Sequence, residues 1–256
     1  MTLFNRFLLK QNANRCATKF HLADFLHNEI AQIIIQTIDD YKENFSNSLE
    51  IGAKNGFLGK QLKSEKLLQI DLSEKMVQKN HLNLAMDDEN LCFENETFDL
   101  VVSNLNLHFV NDIPKNLMQI KNILKPKGQV ILSFFGEENL KELKEVFFKT
   151  EEKIYGKISP RISPNIDIKS AGMLLQKAGL NDVVCEKHSF EVSYSSLKKL
   201  FLDLRNMGQG NILNGKSRKF MTKGFLLDLK NNYQNLHSQD GELIATFEVI
   251  IVRACK

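Results

Sequence analysis

Acidic residues lie at or just after the ends of successive apolar runs of this chain, and their spacing is typical of a site that binds a nucleoside. Glu50 ends one run, Asp71 ends the next, and Asp87 and Asp88 follow a short third run. Parallel strands present their carboxyl ends at one edge of a sheet, where an acid about 20 residues beyond the first strand can bind both ribose hydroxyls. Because Asp71 lies 21 positions after Glu50, we predict that Asp71 binds a ribose and that Asp87 accepts a hydrogen bond from an adenine amine.

A glycine turn, Gly52-Ala-Lys-Asn-Gly56, separates the first acid from a predicted helix at Phe57–Lys63. The unpaired N–H groups at the start of such a helix favour an anionic group. The dinucleotide fingerprint G-x-G-x-x-G is absent, so the layout favours S-adenosylmethionine over a pyrophosphate dinucleotide. The residues predicted to bind this cofactor are Glu50, Gly52, Gly56, Asp71, Leu72, Asp87, Asp88 and Asn104.

Lys54 stands where such a loop usually carries a middle glycine, which lets the backbone approach its ligand closely. A lysine adds bulk, and its ammonium would repel a sulfonium cation. Three arrangements stay open from the sequence. The ammonium lies near the sulfonium and weakens binding, or the side chain swings out, or it pairs with the carboxylate of the ligand.

The end of a fourth apolar run, Phe98–Leu105, carries polar side chains that we expect to face an acceptor. We predict catalytic roles for His108 and Asn104, with the imidazole acting as a general base or shaping the site. The alternatives are a structural histidine that bonds to the backbone, and a turn-forming role for Asn104 or Asn106. Arg161 either clamps a carboxylate or is solvated. Methyl transfer needs little acid–base help, because alignment of the reacting atoms does most of the work.

Neither a metal site nor a hydrolase site is predicted. A non-haem iron site takes two histidines and a carboxylate, and the one H-x-[D/E] pattern, His27 to Glu29, lies in a predicted amphipathic helix. No G-x-S-x-G elbow is present. The cysteines at positions 16, 92, 185 and 255 are scattered, which suits a reducing compartment.

The apolar runs also predict the fold. They are short, continuous and mostly unalternating, which is typical of parallel strands covered on both faces. The predicted strands are Leu49–Ile51, Leu67–Ile70, Leu82–Ala85, Phe98–Leu105, Val130–Phe135, Val183–Val192 and an antiparallel Leu243–Arg253. The predicted helices lie at 20–40, Phe57–Lys63, Ser73–Asn80, Ile113–Leu124, between Gly136 and Tyr155, at Ile168–Lys177, and twice within 195–236.

The length of 256 residues suits one large domain. We predict a helical cap at 1–45, a sheet core at 46–194 and 237–256, and a helical insertion at 195–236. The net charge of +3 is too small to indicate nucleic acid or an acidic membrane as a partner. No apolar run approaches the roughly 20 residues of a membrane span, so we expect no direct membrane anchor.

In the segment Phe98–Asp112 the chain resembles the fourth-strand motif of class I S-adenosylmethionine-dependent methyltransferases. It resembles most the branch of mitochondrial respiratory complex I assembly factors, and more distantly the malonyl-carrier O-methyltransferases of the biotin pathway. Further similar segments, in the same order, are Leu3–Arg6, Ile120–Gly128, Ile158–Pro164, Asp203–Gly208, and Asp240-Gly241 with Ala245-Thr246. Because the similarity begins near the N-terminus, we do not interpret its basic residues as a transit peptide, and we expect a cytoplasmic bacterial protein.

This resemblance implies a Rossmann-like, seven-stranded fold with an antiparallel last strand and S-adenosylmethionine bound over the carboxyl ends of the strands. The favoured function is that of an S-adenosylmethionine-dependent methyltransferase acting on a protein or small-molecule acceptor. The alternatives are a protein-arginine hydroxylase acting on a respiratory complex I subunit and a non-catalytic assembly factor for that complex. The loop at Lys54 departs from the Gly-x-Gly-x-Gly of the family.

Overall fold

The computed structural model describes residues 2–40, 44–78, 82–216 and 221–256, and its centre is one mixed sheet. The strands are β1 (Phe45–Ile51), β2 (Ser64–Asp71), β3 (Asn83–Ala85), β4 (Phe98–Ser103), β5 (Leu124–Phe135), β6 (Asn181–Tyr194), β7 (Ser238–Gln239) and β8 (Glu242–Cys255). Their order is β3-β2-β1-β4-β5-β8-β6, and β7 pairs with β8. Strands β1 to β5 pair in parallel, whereas β8 runs antiparallel to β5 and β6.

Helices cover both faces of this sheet. They are α1 (Arg6–Cys16), α2 (Phe25–Asp40), α3 (Glu74–Val77), α4 (Ile113–Ile123), α5 (Lys141–Tyr155), α6 (Ile168–Lys177), α7 (Leu197–Asn206) and α8 (Lys223–Leu236). One apolar cluster joins α2, α5, α7 and α8 to one face, and a second joins α4 and α6 to the other. Within the described ranges, no helix has the length and apolar character needed to cross a bilayer.

The double cover explains why the apolar runs do not alternate. In β4, Leu100 and Val102 belong to the first cluster and Val101 to the second, because successive side chains of a strand point to opposite faces. The predicted α/β class, the mostly parallel sheet and the antiparallel last strand are confirmed. The segment predicted as a helical insertion packs on the same sheet, since Leu200 of α7 and Phe225 of α8 join the first cluster.

The predicted helix at Phe57–Lys63 is wrong, because the loop continues as a series of turns over residues 54–61. The physical reason is Gly59, whose backbone N–H donates to the Glu50 carboxylate instead of to the preceding turn. Gly59 lies so close to β1 and β2 that a Cβ there would be 2.5 Å from Glu50 Oε2 and would overlap the amide of Gln69. The helix N-terminus expected to receive an anionic group is therefore not formed.

The other helix near the predicted site begins as expected. Ser73 is the N-cap of α3, and its Oγ accepts a hydrogen bond from Met76 N at 3.3 Å. The helix ends at Val77, and residues 79 and 80 of the predicted Ser73–Asn80 helix lie outside the described residues.

The packed turn leads to a stability prediction for Gly59→Ala. The added methyl group would overlap Glu50 and Gln69, and such overpacking costs about 1–3 kcal/mol of unfolding free energy. The matched control is Gly172→Ala in α6, where a Cβ would lie 3.5 Å from Cys185 Sγ, an ordinary contact, and where helix propensity favours alanine by about 0.5–1 kcal/mol. Urea unfolding followed by circular dichroism measures both, and a Gly59→Ala variant as stable as the wild type would contradict the packed turn.

Candidate functional site

Asp71 lies at the carboxyl end of β2, beside the glycine loop, where the sequence predicts it. Its side chain is 2% exposed. It accepts hydrogen bonds from Ser73 N at 2.8 Å and from Lys54 N at 3.2 Å. A buried carboxylate is tolerated only with such donors, so the loop and the start of α3 together hold this acceptor at the edge of the sheet.

Lys54 lies inside this edge and not in solvent. Its φ of +49° falls in the left-handed region that favours glycine. Its Nζ is 3.4 Å from Asp71 Oδ2 and 3.2 Å from Asn106 Oδ1. Of the three arrangements that the sequence left open, a side chain swung out is therefore not the one observed. The ammonium is the charge partner of Asp71 and lies on its Oδ2, while Oδ1 accepts from Ser73 N.

Asn106 fills the space above Gly52. The φ of Gly52 is +70°, and a Cβ at this position would overlap the Asn106 side chain. Asn106 Nδ2 donates to Asp88 Oδ2 at 2.6 Å, while its Oδ1 accepts from Lys54. One amide thereby connects the glycine loop with the acids after β3, a role that the sequence did not distinguish from turn formation.

Arg6 is a site residue that the sequence reasoning missed. From the first turn of α1, its guanidinium forms ion pairs with both Asp87 and Asp88. The family-like segment Leu3–Arg6 was the available signal. The pairing itself could not be read from the sequence, because 81 positions separate Arg6 from Asp87.

Glu50 lies beneath the glycine loop as part of its floor. Its Oε2 accepts from Gln69 Nε2 at 2.6 Å, and burial raises the pKa of Glu50 to about 7. Gly56, with φ +71°, closes the loop through a hydrogen bond from its N–H to Ala53 O at 2.7 Å. Leu72, the next predicted contact, packs against the apolar cluster formed by the N-terminal segment.

Asn104 is bonded within the chain at both ends of its amide. Its Nδ2 donates to the backbone carbonyl of His27 at 2.8 Å, and its Oδ1 accepts from Ser133 Oγ at 3.0 Å. These contacts hold the end of β4 against α2 and β5. The structure therefore places Asn104 beneath the site, whereas its predicted contact with a ligand stays a prediction.

His108 is 7% exposed and lies in the wall of a cavity next to the sheet edge. Its Nδ1 accepts from Phe135 N at 3.5 Å, and Nε2 is 3.5 Å from the amide of Gln209. Burial, together with the charge of Lys54, lowers the pKa of His108 to about 3. The same two causes lower the pKa of His27, which is 4% exposed, to about 3.

The cavity has a volume of about 700 Å³, enough for a drug-sized molecule. Its lining includes His108, the aromatic rings of Phe109, Phe135 and Phe247, and residues of the segments before β6 and after α7. None of the predicted cofactor residues lines it. This cavity is thus distinct from the edge of the sheet formed by Asp71, Lys54, Asn106 and Asp88, which is called the nucleoside edge after the ligand that the sequence predicts there.

The hydrogen-bond acceptors at the nucleoside edge are of the type that an adenosyl group needs for its ribose hydroxyls and its adenine amine. Asp71 and Asp87 supply acceptors after successive strands, and Gly52 has no side chain to block approach. The space itself holds the side chains of Lys54 and Asn106. Lys54 and Asn106 thus lie where an adenosyl group held by Asp71 and Gly52 would lie. Among the described residues, no group of three or more His, Cys, Asp or Glu side chains is placed to hold a metal ion.

The comparisons with known proteins identify the family. Residues 49–132 match the family model described as a methyltransferase domain. The chain is 32% identical to "Arginine-hydroxylase NDUFAF5, mitochondrial" of Mus musculus, over 97% of this chain and 76% of that protein. It is 24% identical to a "Malonyl-[acyl-carrier protein] O-methyltransferase" of Gallionella capsiferriformans, over 97% of this chain and 90% of that protein.

Solved structures show the same fold. The YcgJ protein of Bacillus subtilis matches with a TM-score of 0.63 at 13% identity, covering 88% of this chain and 97% of that one. A SAM-dependent methyltransferase from Archaeoglobus fulgidus matches with a TM-score of 0.53 at 14% identity, covering 93% and 99%. The chain therefore belongs to the class I S-adenosylmethionine-dependent methyltransferase family, in the branch that contains the mitochondrial arginine-hydroxylase.

Proposed function

We propose that this protein binds S-adenosylmethionine at the carboxyl edge of β1 and β2 and transfers its methyl group to an acceptor held near His108. The observation that carries the proposal is the buried Asp71 carboxylate at the end of β2, next to Gly52 and its loop. When bound, the cofactor supplies a methyl group on a positively charged sulfur, which is already a strong electrophile. The chain has only to bind, orient and exclude water.

The residues divide by position. Asp71 accepts from the ribose hydroxyls, and Asp87, whose side chain is 35% exposed, receives the adenine amine with Asp88 beside it. Glu50, Gly52 and Gly56 support the loop, and Leu72 and Asn104 hold the neighbouring strand ends. The Lys54 ammonium and a ribose hydroxyl compete for Oδ2 of Asp71, which weakens cofactor binding.

His108 is assigned to contact with the acceptor through a hydrogen bond and not to proton abstraction. A histidine with a pKa of about 3 is neutral at pH 7 and a weak base. The imidazole therefore shapes the acceptor site, one of the two roles that the sequence suggests. The weak basicity of His108 is compatible with methyl transfer, because this reaction needs no strong base when the nucleophile is an anion or a neutral group with a free lone pair.

A second function rests on one observation, the 32% identity over nearly the whole chain to a protein named an arginine-hydroxylase. On this alternative the protein adds oxygen to an arginine of a respiratory complex I subunit, with an oxidant as co-reactant, or assists assembly of that complex without catalysis. A cytoplasmic location belongs to the same proposal and is supported by four unpaired cysteines.

Calorimetry with S-adenosylmethionine and S-adenosylhomocysteine tests the binding site. We expect micromolar binding to the wild type and about tenfold tighter binding, about 1.4 kcal/mol, to Lys54→Gly. The substitution removes the competing ammonium, and the left-handed backbone at this position accepts glycine without strain.

The matched control is Lys127→Gly. Lys127 is exposed and also has a positive φ, of +66°, but it lies near the amino end of β5, whereas the proposed site lies at the carboxyl ends of the strands. It should leave affinity unchanged. Binding to neither the wild type nor Lys54→Gly would refute the proposed cofactor site. Binding to Lys54→Gly alone would support a non-catalytic protein.

Mass spectrometry separates the candidate reactions. A complex I subunit from cells with and without this gene should differ by one methyl group for a transferase, or by one oxygen atom on arginine for a hydroxylase. Complementation with Asp71→Asn should fail to restore either mark, because the amide replaces one of the two accepting oxygens by an NH₂ donor and removes the negative charge. Full restoration by this variant would show that the reaction does not use the Asp71 site.

Buried histidines make stability depend on pH. His27 has a folded-state pKa of about 3 against an ordinary value of 6.5, so the unfolded chain takes up a proton between those values. His27 therefore does not lower the free energy of unfolding above pH 6.5. As the pH falls below 6.5, the free energy of unfolding decreases by at most about 1.4 kcal/mol per pH unit. Glu50 acts in the opposite direction, because its raised pKa favours the folded state below neutrality.

We therefore expect His27→Leu to remove this contribution. Neither ring nitrogen of His27 has a hydrogen bond in the structure, so leucine breaks none. Between pH 6 and pH 5, urea unfolding of the variant should lose less stability than the wild type, by about 1 kcal/mol. His21→Leu, at an exposed position in the same region, is the control, and equal slopes for His27→Leu and the wild type would contradict the buried neutral imidazole.

A further inference from the structure

The cavity beside His108, called here the aromatic cavity, has an apolar floor and a basic rim. The floor includes Phe201, Leu202 and Met221, which keep accessible surface, and the buried rings of Phe109, Phe135 and Phe247. Burial of a ligand's apolar body on accessible side chains of this kind contributes about 25 cal/mol per Å² of apolar area. The cavity can therefore hold a hydrocarbon or aromatic group of substantial size.

The charges around this cavity are of one sign. Arg15, Lys19, Arg161 and Arg205 line it, whereas none of its described lining residues is Asp or Glu. The chain as a whole is nearly balanced, with 34 basic and 31 acidic residues. Composition alone thus does not account for a lining with four cations and no carboxylate.

Arg161 is neutralised within the fold. Its Nη2 lies 2.7 Å from Oε1 of the buried Glu151, and its guanidinium lies over the rings of Phe147 and Phe225 at 5.5 and 5.1 Å. Of the two roles that the sequence suggested for Arg161, the solvated one is not observed, and the carboxylate that it holds belongs to Glu151 of the same chain.

The other three cations have no such partner. Arg15, Lys19 and Arg205 are exposed, and no ion pair within the described residues involves them. Arg15 and Arg205 each lie in the last turn of a helix, α1 and α7, so the helix dipoles offset part of their charge. A net positive potential remains at the mouth of a cavity with apolar walls, where such a field acts most strongly.

We propose that the aromatic cavity binds an anionic substrate, with a carboxylate or phosphate at the basic rim and an apolar body on the floor. The proposal rests on the proposed function, because it names the class of acceptor that this site takes. It also predicts that a guanidinium binds this cavity less tightly than an anion does. An incoming arginine would meet three unpaired cations, and the adjacent carboxylate, Glu151, is already bound by Arg161.

The test uses a tryptophan reporter, since the chain contains no tryptophan. Phe201→Trp places one indole in the cavity lining at a half-buried position. Octanoate, octyl phosphate, octanol and octylguanidinium are titrated below their aggregation limits, without cofactor, and indole fluorescence is followed. We expect an anion to bind at least tenfold tighter than octanol and octylguanidinium, and the ratio of octanoate to octyl phosphate distinguishes the two headgroups.

Charge variants in the reporter background locate the binding. Arg15→Gln with Arg205→Gln should weaken anion binding at least tenfold and leave octanol unchanged. Lys66→Gln with Lys198→Gln removes the same net charge at exposed positions outside the cavity lining and should have no effect. Equal affinity for the four probes, tighter binding of octylguanidinium, or insensitivity to the Arg15 and Arg205 changes would each overturn the proposal.

Two independent measurements distinguish failure of the cofactor proposal from failure of the proposal for the aromatic cavity. S-adenosylmethionine affinity is measured by calorimetry on the same charge variants, and no cofactor residue is altered in them. Anion binding without cofactor binding refutes the methyltransferase assignment and leaves the cavity's ligand class standing. Cofactor binding without anion preference refutes the ligand class alone.

Discussion

The buried carboxylate of Asp71 is the constraint on which the arrangement of the site depends. At 2% exposure, an ionised side chain needs compensation from donors or a countercharge. The loop after β1 provides both, through the backbone N–H and the ammonium of Lys54. Because the buried Asp71 carboxylate needs a countercharge, the long, cationic side chain of Lys54 lies inside the edge of the sheet.

The neighbouring contacts follow from that position. Asn106 accepts from the Lys54 ammonium and donates to Asp88, which is in turn paired with Arg6 of α1. The nucleoside edge is therefore spanned by a series of positive, neutral and negative groups, Arg6, Asp88, Asn106, Lys54 and Asp71, each from a separate segment of the chain. The affinity of a ligand that displaces one of these partners is the difference between the interactions gained and those lost.

The aromatic cavity differs from this edge in its chemistry. Apolar side chains supply its floor, and unpaired basic side chains surround its mouth. His108 forms part of the cavity wall, and burial keeps its imidazole neutral. The carboxylates of Asp71 and Asp88 at the nucleoside edge each have a cationic partner within the fold, whereas Arg15, Lys19 and Arg205 at the cavity have no acidic partner among the described residues.

Several features were predictable because they are local. The unalternating runs of β4 and β5 reflect cover on both faces, and the acids at 50, 71 and 87 follow strand ends that any parallel sheet brings together. The helix predicted at Phe57–Lys63 failed because Gly59 is held against Glu50 and Gln69. That contact joins residues on neighbouring strands, and a pattern of apolar spacing carries no information about it.

The sequence by itself determined the strand ends, the family and the chemical types available at the edge of the sheet, since these depend on residue identity and short-range periodicity. Only the tertiary structure decided how those groups are paired. Lys54 turned inward because Asp71 is buried, Arg6 reached Asp87 across 81 positions, and basic residues from α1 and α7 met around one cavity. Pairing depends on distance in space and on burial, which the order of residues along the chain does not specify.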